Sequence, residues 1–277
     1  TLPACQLRVN LLPELLRMQC SMIGAWGAAT PSGSLVQLRS LDFGDGPFTN
    51  ASLMHVAQPD EGGRPFAALS FAGFVGAVTG LSQDVGLSEK VNDLASGGRQ
   101  PGTYTGMTTS FVLRELLQLA TNSSAATAIM DRAARTWGIW VGVGDATSQK
   151  FEATVYQHAS AIPYDDASLP ALTGQPALTH VAYLDKHAQP SAHPELPALL
   201  QRLYGNLSAD VVAQVVPNAT QSGDVHFAVY DLQPDAARRQ VFVAIGVTGA
   251  NQSFGDPGAL KAYERPILRF DAKVLWG

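Results

Sequence analysis

The chain has 277 residues, 46% of them apolar, and a mean hydropathy of +0.05, the balance of a globular chain with one domain of intermediate size rather than a disordered one. A formal charge of -5, from 18 Lys and Arg against 23 Asp and Glu, leaves no basic stripe for a phosphate backbone, and nucleic acid is not an expected partner. G-x-x-x-x-G-K-[ST], H-E-x-x-H, G-x-S-x-G and clustered cysteine pairs are all missing, and the six histidines are scattered, so neither a metal nor any other cofactor is expected.

The front of the chain, RMQCSMIGAW (17–26), holds Cys20, one of only two cysteines. The run 35–41 alternates apolar and polar residues and predicts a strand that ends at the turn residues Asp42, Phe43, Gly44, Asp45, Gly46 and Pro47. Further strands are predicted at 53–57, 66–71, 74–79 and 85–88. The uncharged stretch 65–83 approaches membrane-span length, but Gly73, Gly76 and Gly80 divide it, which predicts two buried strands joined by a turn and no transmembrane segment. After the Gly/Pro-rich joint 97–106 the period changes to that of helices, with TTSFVLRELLQLAT and SSAATAIMDRAART back to back and Asn122 and Ser123 as cap candidates.

Strands resume at 138–144 and 150–158 as a hairpin, then at 178–184; helices follow in PELPALLQRLY and SADVVAQVV; and DVHFAVYDL, RQVFVAIG and PILRFDAKVL close the chain as strands. Strands, two helices, strands, two helices, strands is a segregated order. It predicts an α+β fold, two antiparallel sheets flanked by helix layers in an αββα sandwich, rather than alternating parallel units. No repeat, heptad run or low-complexity tract is present.

Five of the seven asparagines open an Asn-x-Ser/Thr triplet: Asn50, Asn122, Asn206, Asn218 and Asn251. Chance would place about one in seven there. The excess predicts a glycoprotein of the secretory route, lysosomal or extracellular, with each acceptor on a surface loop or element end. The first residue is Thr1, without a signal-peptide pattern, and we expect a leader to have been removed.

Two readings of Cys20 stand side by side. Free cysteine is commonly a small buried hydrophobe; as a nucleophile it needs a group that favours thiolate and a group that accepts a proton. Arg39 and Asp42, an Arg-x-x-Asp at one strand end, offer a cation and a carboxylate, although such pairs at strand ends are commonly solvated. Cys5 and Cys20 also allow one bridge within the chain, and Cys5 allows one to another chain or fragment.

The blocks CSMI (20–23), LRSLDFG (38–44) and SFAGFVGAVTGL (70–81), followed by HFAVYDLQPDAARRQVFVAIG (226–246) and ILRFD (267–271), resemble the N-terminal-nucleophile hydrolases that act on linear amides. Acid ceramidase, N-acylethanolamine acid amidase and the penicillin-forming acyltransferase belong to that family. The match runs in order from about residue 15 to the C-terminus.

The resemblance implies that Cys20 becomes the N-terminus by self-scission of the Gln19–Cys20 bond, leaving 1–19 as pro-segment or smaller-subunit remnant and 20–277 as the catalytic domain. It implies that the freed α-amine acts as base, Asp42 holds that amine and Arg39 favours thiolate. In the position of the family's oxyanion asparagine it points to His180, after Thr179, and for a second polar residue to Asn92, whose other reading is a turn residue beside Asp93. The implied substrate is a small-molecule or lipid amide, with an acyl groove from the loops around Trp26, Phe48, Phe74 and Trp137. The competing reading is a catalytically weak or inactive glycoprotein of the same fold, acting as a scaffold or binding module.

Overall fold

The computed structural model describes residues 10–11, 19–44, 49–60, 62–91, 105–136, 138–249 and 252–276. Cys5, Phe48, Asn92, Trp137 and Asn251, each singled out above, lie outside the described residues.

The alternating front of the chain pairs as a hairpin, β1 (Gln19–Gly27) with β2 (Gly33–Asp42). Its turn is bounded by Gly27 and Gly33 at φ 53° and 74°, a left-handed conformation that glycine takes without steric cost. Four later strands join this hairpin: β10 (Val181–Leu184), β11 (His226–Leu232), β12 (Gln240–Ile245) and β13 (Leu268–Asp271), in the order β10-β1-β2-β11-β12-β13. The second sheet runs in chain order through β3 (Ser52–Ala57), β4 (Phe66–Phe71), β5 (Thr79–Ser82), β6 (Val85–Val91), β7 (Ile139–Asp145), β8 (Lys150–Tyr156) and β9 (Ala161–Tyr164). The ladders of both sheets are antiparallel.

Strand parity decides the layers. In β1, Met22 and Trp26 enter a core between the sheets with Leu69, Trp140, Phe151 and Tyr230. Ile23 and Ala25 face the other way, onto α4 (Glu195–Leu203) and α5 (Ala209–Thr220) through Leu199, Leu200 and Val212. On the outside of the seven-stranded sheet, α1 (Thr109–Leu119) and α2 (Ser123–Arg132) bury Leu113, Leu116, Ile129 and Met130 against Leu87, Val141 and Val143. Each large side chain buried in this way contributes about 1.5–3 kcal/mol. The sheets approach closely: a Cβ on Gly24 would lie 2.1 Å from Phe151 Cβ, so only glycine fits there. The result is the predicted αββα sandwich of two antiparallel sheets.

Three local differences have physical causes. The strand expected at 74–79 is a turn that becomes β5 only at Thr79; Asn10 Oδ1 accepts from the amides of Val75 and Gly76, and Ala77 N–H donates to Ser110 O, so those groups leave the ladder. The strand expected at 178–184 starts only at Val181, because His180 sits at φ 63°, outside the extended region. Between β8 and β10 the chain adds the edge strand β9 and the short helix α3 (Leu169–Thr173), two elements that the sequence order above does not include; Pro163 is tolerated in β9 because it is an edge. Among the described residues no helix is long and apolar enough to cross a membrane.

Candidate active site

Cys20 lies on β1 directly opposite Leu41, with Gln19 opposite Asp42 and Met22 opposite Arg39. Residues opposite one another share a face, so Arg39 and Cys20 both point between the sheets, while Asp42, of the other parity, points to the helix side. Arg39 Nη2 donates to Cys20 Sγ at 3.3 Å and to Glu89 Oε2 at 3.0 Å, and Nε donates to Glu89 O at 3.3 Å. Nη1 lies 2.9 Å from His226 Nε2. Because guanidinium only donates, His226 Nε2 accepts and its proton resides on Nδ1, which faces Ser52 Oγ at 3.2 Å. Arg39, Glu89 and His226 are all fully or almost fully buried, and an apolar shell of Leu41, Phe71, Phe74, Val78, Val91 and Val225 closes around the sulfur.

The electrostatics follow from that seclusion. Burial pushes the Cys20 thiol up to about 12, against the lowering effect of Arg39, so at neutral pH the sulfur holds its proton. Burial likewise raises Glu89, opposed by Arg39, and drives His226 well below its usual value, with Arg39 adding to the fall. Asp42 is raised by burial and lowered by its bonds, Ser222 Oγ–H to Oδ2 at 2.6 Å and Gly223 N–H to Oδ1 at 2.7 Å.

His226 gives the first prediction. Its folded-state pKa is depressed below 6.5, so its stabilising contribution is complete above pH 6.5 and is lost as pH falls from there towards the folded value. His226→Gln keeps an acceptor for Arg39 and a donor for Ser52 but removes the titration. The stability advantage of the wild type over His226→Gln therefore shrinks as pH falls below 6.5, by at most about 1.4 kcal/mol per pH unit. Urea unfolding of both proteins at neutral and mildly acid pH checks this; a constant difference would contradict it.

Not every expected residue converges. His180 is set at the far end of β1: its carbonyl accepts from Trp26 N–H at 3.0 Å and its Nδ1 from Ala28 N–H at 3.2 Å. Six residues of strand, about 20 Å, separate that end from Cys20. The cause is strand direction. β10 runs antiparallel to β1 with Met22 opposite Leu184, so its first residues meet the end of β1 and Asp185, just past its last, comes beside Ser21. Of the aromatics expected around an acyl groove, the two described, Trp26 and Phe74, are core side chains, 5% and 6% exposed.

Glu89, His226, Ser52 and Ser222 were not singled out from the sequence. Glu89 and Lys90 did leave a signal, two charged residues inside the apolar strand Val85–Val91, both buried. On the helix side, Ser21 opens into a cavity of about 270 Å³ whose lining includes Asp185, Lys186, His187, His193 and Glu195. The His187 and His193 rings stack there at 3.4 Å. Among the described residues no group of His, Cys, Asp and Glu is arranged to hold a metal ion.

Of the glycosylation candidates, Asn50, Asn206 and Asn218 are exposed; Asn50 lies in a short 3-10 turn and Asn218 in the last turn of α5. Asn122 caps α2, its Oδ1 accepting from Ala125 N–H at 2.8 Å.

No protein-family model matches the chain. It is 33% identical to Protein dcd1A of Dictyostelium discoideum over 282 residues, covering 96% of this chain and 62% of that protein. It is 31% identical to Protein dcd1B of the same organism over 280 residues, covering 98% of this chain and 54% of that one. The chain thus spans between half and two thirds of the length of these curated relatives. Among solved structures it is similar to a Caenorhabditis elegans N-acylethanolamine-hydrolyzing acid amidase ortholog, with TM-score 0.54 and 14% identity over 78% of this chain and 94% of that one. It is also similar to penicillin V acylase from Agrobacterium tumefaciens, with TM-score 0.50 and 9% identity over 92% of this chain and 86% of that one. At such identities the likeness is one of fold, and in the fold the resemblance read from the sequence blocks is borne out.

Proposed function

We propose that this chain, which has the fold of the N-terminal-nucleophile hydrolases, is the uncleaved form of a cysteine amidohydrolase that cleaves, or transfers, the acyl group of a linear amide. One observation carries the reading: a buried arginine donates to the sulfur of Cys20 while the β1–β2 register sets Asp42 opposite Gln19, at the bond to be cut.

Maturation follows from the residues present. Cys20 Sγ attacks the Gln19 carbonyl carbon, the C–N bond breaks, and the thiol proton goes to the departing nitrogen, which leaves a thioester and a free amine on Cys20. Water then hydrolyses the thioester to the Gln19 carboxylate and restores the thiol. Arg39 Nη2 stabilises the sulfur as charge develops on it. The new α-amine, with an unperturbed pKa of about 7.7–8.0, takes the thiol proton in each later turnover and returns it to the leaving amine. Asp42, at the position opposite Gln19, holds that amine in place.

The apolar shell of Phe71, Phe74, Val78 and Val225 around the sulfur is of a chemistry that suits an acyl group. Part of that segment has a basis for staying bound after scission, since Asn10 is buried and bonds the amides of Val75 and Gly76. The sequons support a secretory or lysosomal route, with Asn50, Asn206 and Asn218 as accessible acceptors.

N-terminal sequencing and intact mass of the mature protein test the reading. A fragment that begins Cys-Ser-Met-Ile is expected from the wild type and none from Cys20→Ala. A wild-type chain that stays whole through prolonged incubation from acid to neutral pH sinks it and favours the scaffold reading.

A further inference from the structure

The turn between α5 and β11 grips the end of β2 residue by residue. Ser222 Oγ–H and Gly223 N–H donate to Asp42, both Phe43 N–H and Gly44 N–H donate to the carboxylate of Asp224 at 2.9 Å, and Val225 N–H donates to Leu41 O at 3.2 Å. The grip is tight enough to need glycine at 223. Its φ is 98°, and a Cβ there would come 3.2 Å from Phe227 and 3.3 Å from Ser40.

Within this turn Ser222 is fully buried, and its Oγ also lies 2.8 Å from Ser21 Oγ. An ionised carboxylate only accepts, so the Ser222 proton is committed to Asp42 and Ser21 must be the donor to Ser222. The chain Ser21, Ser222, Asp42 therefore joins the residue after the nucleophile to the carboxylate that would hold its amine. Before scission this ties two ends of one hairpin. After scission it is the side-chain link nearest to a newly freed chain end.

The geometry points to Ser222 as a positioning residue: it holds Asp42 ionised and aimed, and through Ser21 it anchors the new N-terminus against that carboxylate. This rests on the functional reading above, and it adds a residue to which that reading assigned no role. Two other charges face Asp42, Asp224 from the same turn and Lys186 from the segment after β10, and both remain in a Ser222 variant.

The test is the pH dependence of scission in the purified chain, followed by intact mass. A donor to the charged form lowers a carboxyl pKa, so removing it raises Asp42 and moves the acid limb of the rate upward. The expected shift for Ser222→Ala is about one pH unit, with Ser222→Thr restoring the wild-type limb. A merely structural role would lower the rate at every pH and leave the limb in place, and an unmoved limb overturns the proposal. If Ser222→Ala does not fold, as judged by thermal unfolding, Ser222→Cys decides in the same way, because its weak donor should give a partial shift. A wild type that is never cut fails the functional reading itself, and this role falls with it; a wild type that is cut with an unmoved limb fails this role alone.

Discussion

Arg39→Met is expected to lower the unfolding free energy by about 3–5 kcal/mol, the usual cost of removing one partner of a buried ion pair. The arginine is 0% exposed and its Glu89 partner 1%, so without the guanidinium the carboxylate loses its hydrogen-bonded counter-charge out of reach of water, and only the weaker field of Lys90 remains. Two further groups lose their donor, His226 Nε2 and the Glu89 carbonyl. The double variant Arg39→Met with Glu89→Gln should recover much of the loss, since the uncompensated charge goes with the second change. Urea unfolding of the two single variants, the double variant and the wild type measures this coupling. An Arg39→Met loss below about 1 kcal/mol would mean that the pair is solvated, in contradiction to its burial.

The second large effect is on the thiol. In the uncleaved chain Cys20 should react with iodoacetamide at least about a thousandfold more slowly than an ordinary cysteine, because a thiol pushed up to about 12 leaves that much less thiolate at neutral pH. On the proposed function, scission would reverse this by placing an amine beside the sulfur. A Cys5→Ser background isolates the signal, and mass spectrometry of the alkylated peptide gives the rate. Rapid labelling of the native uncut chain would show that the sulfur is already exposed or ionised. In the chain that retains Cys5, a Cys20 that stays unlabelled after denaturation without reductant would reveal a disulfide instead.

These two effects share one cause, the low-dielectric pocket at the end of β1, and that pocket was only half legible in the order of residues. Arg39 and Asp42 could be singled out because the block LRSLDFG carries the family resemblance, and the fixed period of a strand then places one on each face of a sheet. Glu89 and His226 stand 50 and 187 residues from the arginine they contact, and no local period relates them to it. The position of His180 was illegible for the same reason: which end of β10 meets Cys20 is set by pairing direction, not by the residues around it.

Apolar alternation and the change to a helical period determined by themselves that two antiparallel sheets would be enclosed by helix pairs, and the blocks around Cys20, Arg39 and Asp42 carried the family resemblance. Burial of the sulfur, the hold of Glu89 and His226 on Arg39, and the link from Ser21 through Ser222 to Asp42 were decided only in the folded chain. Periodicity is a property of neighbours along the chain, whereas ion pairing and desolvation depend on which strands and turns close over one another.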